Sequence, residues 1–285
     1  MQQIESRDAL RRARAELGGL GLVPTMGYLH EGHLDLVRRA RAENEAVAVS
    51  IFVNPTQFGP NEDFERYPRD MERDLALLRR EGVDLVWTPP VSEVYPPGAS
   101  TFVTVEGLTE RLEGAVRPGH FRGVATVVCK LFAATAPQRA YFGQKDAQQV
   151  LVIRRMARDL LLPLEIVVCP TVREPDGLAM SSRNVYLGPA ERAAAPALYA
   201  GLRAAAELYR AGERDAETLR AAVRSAIARE PLLRLEYVSL ADPDTLEELE
   251  SVARRGLLSL AARLGSTRLI DNLVLGPDGA SEGLL

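Results

Sequence analysis

The apolar positions of this chain follow two rhythms that alternate over its first 175 residues. Three short, nearly unbroken runs, "LGLVP" (20–24), "AVAVSIFVN" (46–54) and "VDLVWTPP" (83–90), have the length of strands covered on both faces. Between them the apolar residues fall three and four apart. This happens over 33–43, with Leu34, Val37 and Ala40 on one side, and over "DMERDLALLRREG" (70–82), closed by Gly82. In order, the first ninety residues read β-α-β-α-β, the pattern of a parallel sheet with right-handed crossovers. The alternation continues through a buried helix over 123–137, a short strand "RAYFG" (139–143), an amphipathic helix over 146–160 and a buried strand "LEIVVCPTV" (164–172). "STFVTVEG" (100–107) alternates apolar and polar residues and predicts an edge strand or hairpin arm. The opening "MQQIESRDALRRARAE" has the pattern of a charged helix.

Past residue 175 the texture changes. "REPDGLAMSSRN" (173–184) is a polar loop with Pro and Gly. Two Ala-rich helices follow, over 190–211 and 215–229, then strands over 233–242, 255–265 and 267–275. The expectation is an α/β chain of two domains, a parallel-sheet domain over 1–178 and a smaller α+β domain over 179–285. A length of 285 residues suits that division.

Composition excludes some classes of function. With 46% hydrophobic and 26% charged residues the chain reads as an ordinary globular protein. No apolar run approaches the ~20 residues that span a bilayer, so no membrane partner is expected. The charged start is not a secretory signal, which predicts a cytoplasmic location. A net charge of −4 argues against an extended nucleic-acid footprint. Cys129 and Cys169 lie far apart, outside any CxxC pair, and read as buried free thiols. Among 35 Lys and Arg residues only Lys130 and Lys145 are lysines, which singles both out.

The candidate chemistry concentrates where strands end. Two of the three histidines, His30 and His33, sit in "TMGYLHEGH" between the first buried run and the next helix. A zinc site of the HExxH kind needs i, i+4 spacing, and nothing nearby completes a metal shell. In open α/β sheets ligands bind beyond the carboxyl ends of strands, and helix N-termini favour anions. Gly27 and Gly32 let backbone approach a ligand, and two imidazoles can donate to phosphate oxygens. Capping or turn histidines are the structural alternative. Neither the P-loop nor the GxGxxG fingerprint is present.

Four further segments recur at strand or helix ends. After the second strand come Asn54, Pro55, Thr56 and Gln57, whose side-chain amide offers donor and acceptor to a hydroxyl or carboxylate; an ordinary Asn-Pro turn explains them equally. In "YFGQKDAQQV" (141–150), Lys145 and Asp146 open a helix and Gln149 follows one turn later. Capping accounts for Asp146, but a cation at the positive end of a helix calls for an anion. "GLAMSSRN" (177–184) supplies the Ser181 and Ser182 hydroxyls and the Arg183 cation, as a phosphate loop or a solvated one. "RPGHFRG" (117–123) places His120 between Arg117 and Arg122, an anion pocket or a basic loop.

Taken together, "PTMGYLHEGH", "FVNPTQFGPNEDFERYPR", "RPGHFRGVATVV", "FGQKDAQQ" and "TVREPDGLAMSSRNVYL" resemble, in order and spacing, the motifs of the bacterial pantothenate synthetase (pantoate–β-alanine ligase) family. The resemblance runs from about residue 18 to 190. That family lies in the HIGH-type nucleotidylyltransferase superfamily, so His30-Glu31-Gly32-His33 stands as the HIGH element and Met180-Ser181-Ser182-Arg183 in the place of KMSKS. The resemblance implies a Rossmann-like catalytic domain that binds ATP and pantoate, and a C-terminal lid domain. It also implies a two-step reaction through pantoyl adenylate, with Mg2+ accompanying ATP, and a homodimer. The implied ATP site comprises Met26, Gly27, Tyr28, Leu29, His30, Glu31, Gly32, His33, Gly143, Gln144, Lys145, Asp146, Val172, Met180, Ser181, Ser182 and Arg183. Gln57 and Gln149 would hold pantoate, Gln57 also β-alanine. His30, His33, Lys145 and Arg183 would be catalytic, His33 as proton donor. One departure stands out: Gln144 occupies a position where the family motif is expected to have Glu. An uncharged amide there matters if the side chain helps hold metal, and not if it points to solvent.

Three other readings compete with this one. A nucleotidylyltransferase that keeps AMP on its product does not call for the Gln57/Gln149 pair. A tRNA synthetase relative needs room for an anticodon domain. A non-catalytic nucleotide-binding module needs neither His33 nor the Ser-Ser-Arg loop.

Overall fold

The computed structural model describes residues 1–60, 62–277 and 279–281. The chain divides into two compact units. One comprises Met1–Gly143 with Gln148–Cys169; the other comprises Gln144–Ala147 with Pro170–Leu285.

The first unit is built on six parallel strands in the order β1-β4-β3-β2-β5-β6. These are β1 (Gln2–Ile4), β2 (Leu20–Thr25), β3 (Ala46–Ile51), β4 (Leu85–Trp87), β5 (Arg139–Gly143) and β6 (Glu165–Cys169). The helices are α1 (Arg7–Ala15), α2 (Glu31–Glu43), α3 (Met71–Arg80), the short α4 (Val91–Val94) and α5 (Glu113–Val116), α6 (His120–Thr135) and α7 (Ala147–Asp159). Val23, Val47, Val49 and Val86 pack with Val37 and Ala40 of α2 and Leu75 and Leu78 of α3. The alternate strand residues Leu20, Leu22, Ala46 and Ala48 are equally buried. A sheet covered on both faces is the reason these strands read as unbroken apolar runs.

From β2 the chain builds outward in one direction through β3 and β4, then restarts on the other side with β5 and β6. The reversal lies between β2 and β5, and there the pairing is short. Only Gly21 and Leu22 align with Arg139 and Ala140, while β2 continues to Thr25 and β5 to Gly143. The carboxyl ends of β2 and β5 therefore part, which opens the crevice where such sheets bind ligands.

The second unit carries a four-stranded antiparallel sheet, β10-β9-β8-β7, from β7 (Leu233–Ala241), β8 (Gly256–Leu264), β9 (Thr267–Gly276) and β10 (Gly279–Ser281). Its helices are α8 (Pro189–Ala194), α9 (Ala197–Arg210) and α10 (Ala216–Ile227). Leu198, Leu202 and Ala205 of α9 and Leu219 and Val223 of α10 share one core with Leu258, Leu260, Leu269 and Leu273 of the sheet.

The α/β class expected from the alternation is the one observed, with four local corrections. Residues 2–4 form a parallel edge strand against Leu85–Trp87 rather than the start of a helix; three residues are too few to display a period. Residues 100–107 form no strand. Val103 N–H donates to Thr126 Oγ1 of α6 at 2.9 Å instead, so a side chain and not a ladder satisfies that backbone. The helix expected over 190–211 is two helices, parted at Pro196, whose ring cannot accept an unbroken turn. The second helix of the chain begins at Glu31, two residues early, so His33 lies inside its first turn. No helix among the described residues is long and apolar enough to cross a membrane.

Candidate active site

In the first unit the chain leaves β2 through two residues with left-handed backbone, Gly27 at φ +85° and Tyr28 at φ +50°. A Cβ on Gly27 would stand 2.9 Å from Ile51 Cγ2 and 3.2 Å from Asp74 Oδ2, so only glycine fits. Asp74, on the inner side of α3, holds this turn. Its Oδ2 accepts from Tyr28 N–H at 2.6 Å and its Oδ1 from Leu29 N–H at 2.8 Å. Burial pushes its carboxyl above the ordinary value, against those two N–H bonds, which lower it.

The turn delivers His30 as the N-cap of α2 and His33 as its third residue. Their ring centroids are 4.0 Å apart. His33 Nδ1 accepts from His30 backbone N–H at 3.3 Å. With Nδ1 an acceptor, the neutral ring carries its proton on Nε2, a fixed donor beside the helix N-terminus. Glu31 points elsewhere, its exposed carboxylate pairing with Arg38.

Beyond β3, Asn54 caps the 3-10 turn Pro55–Gln57. Asn54 Nδ2 donates to Gln57 Oε1 at 3.0 Å and to Gly123 C=O at 3.2 Å, and its Oδ1 accepts from Tyr95 OH at 2.9 Å. Gln57 Nε2 lies 3.2 Å from Met26 Sδ. With Oε1 already taken, the Gln57 amide presents N–H, the polarity a carboxylate or hydroxyl of a substrate needs. Gly123 of α6 lies directly under this turn; a Cβ there would stand 2.4 Å from Thr56 O.

His120 supports the same turn from below. Its Nδ1 is 2.8 Å from Gln57 C=O and its Nε2 3.1 Å from Arg117 Nη1. A carbonyl only accepts and a guanidinium only donates, so the ring is the neutral Nδ1–H tautomer. Arg117 is in turn held by both oxygens of Glu62. Desolvation first, and then Arg117, lower the imidazole from 6.5 to about 4. "RPGHFRG", an anion pocket or solvated loop on the sequence alone, is thus a buttress for Gln57. Gln149 is half-buried on α7.

In the second unit, Gln144–Asp146 form a 3-10 turn. Gln144 does not meet solvent. It is fully buried, and its Nε2 donates to Asn272 Oδ1 of β9 at 3.1 Å. Lys145 Nζ is 3.5 Å from Asp146 Oδ1, with side chains 21% and 47% exposed. The other lysine has a separate use in the first unit: Lys130 Nζ donates to Val94 C=O at 2.7 Å, over the Tyr95 ring.

The segment expected to be a polar loop is more ordered. Arg173 and Ala179 form an antiparallel bridge, and Met180 N–H donates to Val172 C=O at 3.0 Å. Ser181 then caps the 3-10 turn Ser182–Tyr186, its Oγ accepting from Arg183 N–H at 3.3 Å. Ser182 is buried, whereas Val172, Met180, Ser181 and Arg183 are half-buried. Arg173 anchors the hairpin. Its guanidinium grips buried Asp271 at 2.7 and 3.0 Å and lies 3.7 Å over the Tyr199 ring.

Within the first unit the fold brings His30 to His33 and Gln57 to Met26; within the second it orders Gln144–Asp146 and Val172–Arg183. Asp74, Arg173, Asp271 and Asn272 were not singled out from the sequence. For Asp74 a signal existed: a carboxylate in the stripe formed with Leu75 and Leu78. Asp271 and Asn272 likewise interrupt the apolar run of β9.

An open parallel α/β sheet whose polar side chains follow the carboxyl ends of its strands is the arrangement in which α/β proteins bind ligands. The model of the pantoate-beta-alanine ligase family matches residues 1–274, and the chain belongs to that family. It is 68% identical over 276 residues, 96% of this chain and 99% of the relative, to a pantothenate synthetase of Roseiflexus sp. (strain RS-1). It also superposes on the crystal structure of pantothenate synthetase from Thermus thermophilus. That match has a TM-score of 0.93 and 54% identity, covering 96% of this chain and 99% of that one. A pantoate-beta-alanine ligase from Francisella tularensis, complexed with beta-gamma ATP and beta-alanine, matches with a TM-score of 0.78 and 36% identity, covering 95% and 97%. The family read from the motifs is the family found.

Among the described residues no three His, Cys, Asp or Glu side chains are grouped as a metal site. Mg2+ needs no such cage, since it binds through one or two carboxylates and nucleotide phosphate oxygens. Asp146, partly exposed beside Lys145, fits that role.

Proposed function

We infer that the chain joins pantoate to β-alanine using ATP, by way of a pantoyl adenylate. The observation that supports this most is the close pair of tilted imidazoles at the N-terminus of α2, beyond the end of β2 and beside the parted β2–β5 crevice, in a chain whose family match spans residues 1–274. A carboxylate is a poor acyl donor because its leaving group is oxide. In the first step a pantoate carboxylate oxygen attacks the α-phosphorus of ATP; the bond to the bridging oxygen breaks and pyrophosphate leaves. In the second, the β-alanine amine attacks the activated carbonyl carbon, the C–O bond to AMP breaks, and the nitrogen gives up a proton. The first step is mostly positioning and neutralisation of developing charge.

Each unit contributes to that work in this reading. In the first, the 26–33 turn, Gly143 and the helix dipole of α2 receive phosphate, with His30 and the Nε2–H of His33 as donors. Gln57 offers its N–H to pantoate and then to β-alanine, and Gln149 takes the pantoate hydroxyls. In the second, Lys145 and Arg183 supply charge, Ser181 and Ser182 hydroxyls, and Gln144, Val172 and Met180 shape the nucleotide site. Mg2+, held by the phosphates and Asp146, would neutralise phosphate charge when bound. The same reading includes closure of the second unit as a lid and a cytoplasmic homodimer, the latter tested by sedimentation.

Pantoate-dependent exchange of labelled pyrophosphate into ATP tests the reading. Exchange requiring pantoate but not β-alanine is expected, and its absence would refute an adenylate. His33→Ala should lower exchange by about 10²–10³-fold, the scale of a lost transition-state donor. Near-normal exchange in that variant would remove His33 from the chemistry.

A further inference from the structure

We propose that Asn272 is a positioning residue for the reaction: its side-chain amide clamps the turn that carries Lys145, and Gln144 locks the orientation of that amide. The proposal rests on the reading that Lys145 neutralises nucleotide phosphate.

The geometry is over-determined. Asn272 Nδ2 donates to Gln144 C=O at 3.1 Å and to Lys145 C=O at 2.9 Å, spending both of its N–H groups on consecutive carbonyls of one turn. Its remaining group, Oδ1, accepts from Gln144 Nε2 at 3.1 Å. Turned over, the amide would set oxygen against two carbonyl oxygens and N–H against N–H. Gln144 and Asn272 are both buried, at 0% and 3% exposure, so the Gln144 carbonyl and the Asn272 amide have no ready access to water as a replacement partner.

Asn272 is itself held firmly. It lies in β9 opposite Ser259 of β8. Its backbone N–H donates to Asp271 Oδ1 at 2.8 Å, and that carboxylate receives two bonds from Arg173. The turn is a single 3-10 turn, too short to fix the lysine by its own hydrogen bonds. The 3.5 Å contact of Lys145 Nζ with Asp146 is too long to orient the ammonium. A strand 127 residues distant in sequence thus sets the backbone from which Lys145 reaches out.

A double-mutant cycle on the full-length chain, read by pantoate-dependent pyrophosphate exchange, separates positioning from simple stabilisation. Lys145→Met is expected to lower the exchange rate by about 10²-fold or more. Asn272→Ala should lower it by about 10–100-fold, the effect of a misplaced group, with thermal unfolding still cooperative. In the double variant the loss should equal that of Lys145→Met alone. A defect that merely reduced the folded fraction would multiply through both backgrounds. Asn272→Asp keeps the volume and the acceptor for Gln144 while losing both donors. It should show the same non-additivity and serves if Asn272→Ala does not fold. Multiplicative losses, or an Asn272→Ala enzyme as fast as the parent, would overturn the proposal while leaving Lys145 in place. A Lys145→Met enzyme near the parent rate would instead overturn the reading of Lys145, and this proposal with it.

Discussion

The neutral imidazole of His120 makes the first unit sensitive to acid in a defined window. Unfolded, this ring titrates near 6.5; folded, it titrates near 4, because desolvation and Arg117 oppose its charge. Between those values the unfolded chain binds a proton that the folded chain refuses, so stability rises with pH there. The contribution is complete above about pH 6.5 and is lost as pH falls toward 4. The difference of about 2.5 in pKa, at about 1.4 kcal/mol each, amounts to about 3.5 kcal/mol in full, of which about 3 is lost between pH 7 and pH 4. Carboxylates titrate in the same range, so a variant must isolate the ring. In His120→Asn a side-chain N–H can still reach Gln57 C=O, but nothing titrates. At pH 7 the variant should be the less stable, since Arg117 Nη1 loses the His120 Nε2 acceptor. Denaturant unfolding at pH 7, 5.5 and 4, followed by fluorescence, measures the gap. Trp87, the single tryptophan, is buried in β4 of the same unit and reports its unfolding directly. The parent should lose about 3 kcal/mol relative to His120→Asn between pH 7 and pH 4. An equal gap at both pH values would show that the ring is not held neutral, and would break the Glu62–Arg117–His120–Gln57 argument.

Two more outcomes follow from the supports of the same unit. Asp74→Ala strands the Tyr28 and Leu29 N–H groups, at about 1–3 kcal/mol each; the Trp87 unfolding transition should record a loss of about 2–6 kcal/mol, and a loss under about 1 would mean the turn does not depend on that carboxylate. Gly123→Ala should help a helix interior by about 0.5–1 kcal/mol on propensity alone, yet its Cβ would stand 2.4 Å from Thr56 O and 2.7 Å from Gln57 N. Displacement of Gln57 should raise the KM for pantoate by about tenfold or more with the KM for ATP nearly unchanged, and unchanged values for both would remove Gly123 from pantoate recognition.

Local pattern carried most of the architecture. Buried parallel strands must be apolar on both faces and the helices covering them on one, so β2 through β6 are legible as runs and their helices as stripes. Histidines, glutamines and a lysine placed just past those runs marked candidate positions at the strand ends, because parallel strands present all their carboxyl ends on one edge. The three residues of β1 are too few to show a period, and the false strand at 100–107 alternates but has no partner.

Tertiary structure alone decided which groups hold the candidate site in shape. Asp74 grips a turn 45 residues away, Gln57 C=O fixes the tautomer of a histidine 63 residues on, and Asn272 clamps carbonyls across 127 and 128 residues. None of these pairs shares a local period, and each involves a backbone group, which is the same in every residue and leaves no trace in a sequence. Candidate side chains could therefore be named from their types and positions; their orientation, tautomer and support could not, because those follow from hydrogen bonds that only folding brings within reach.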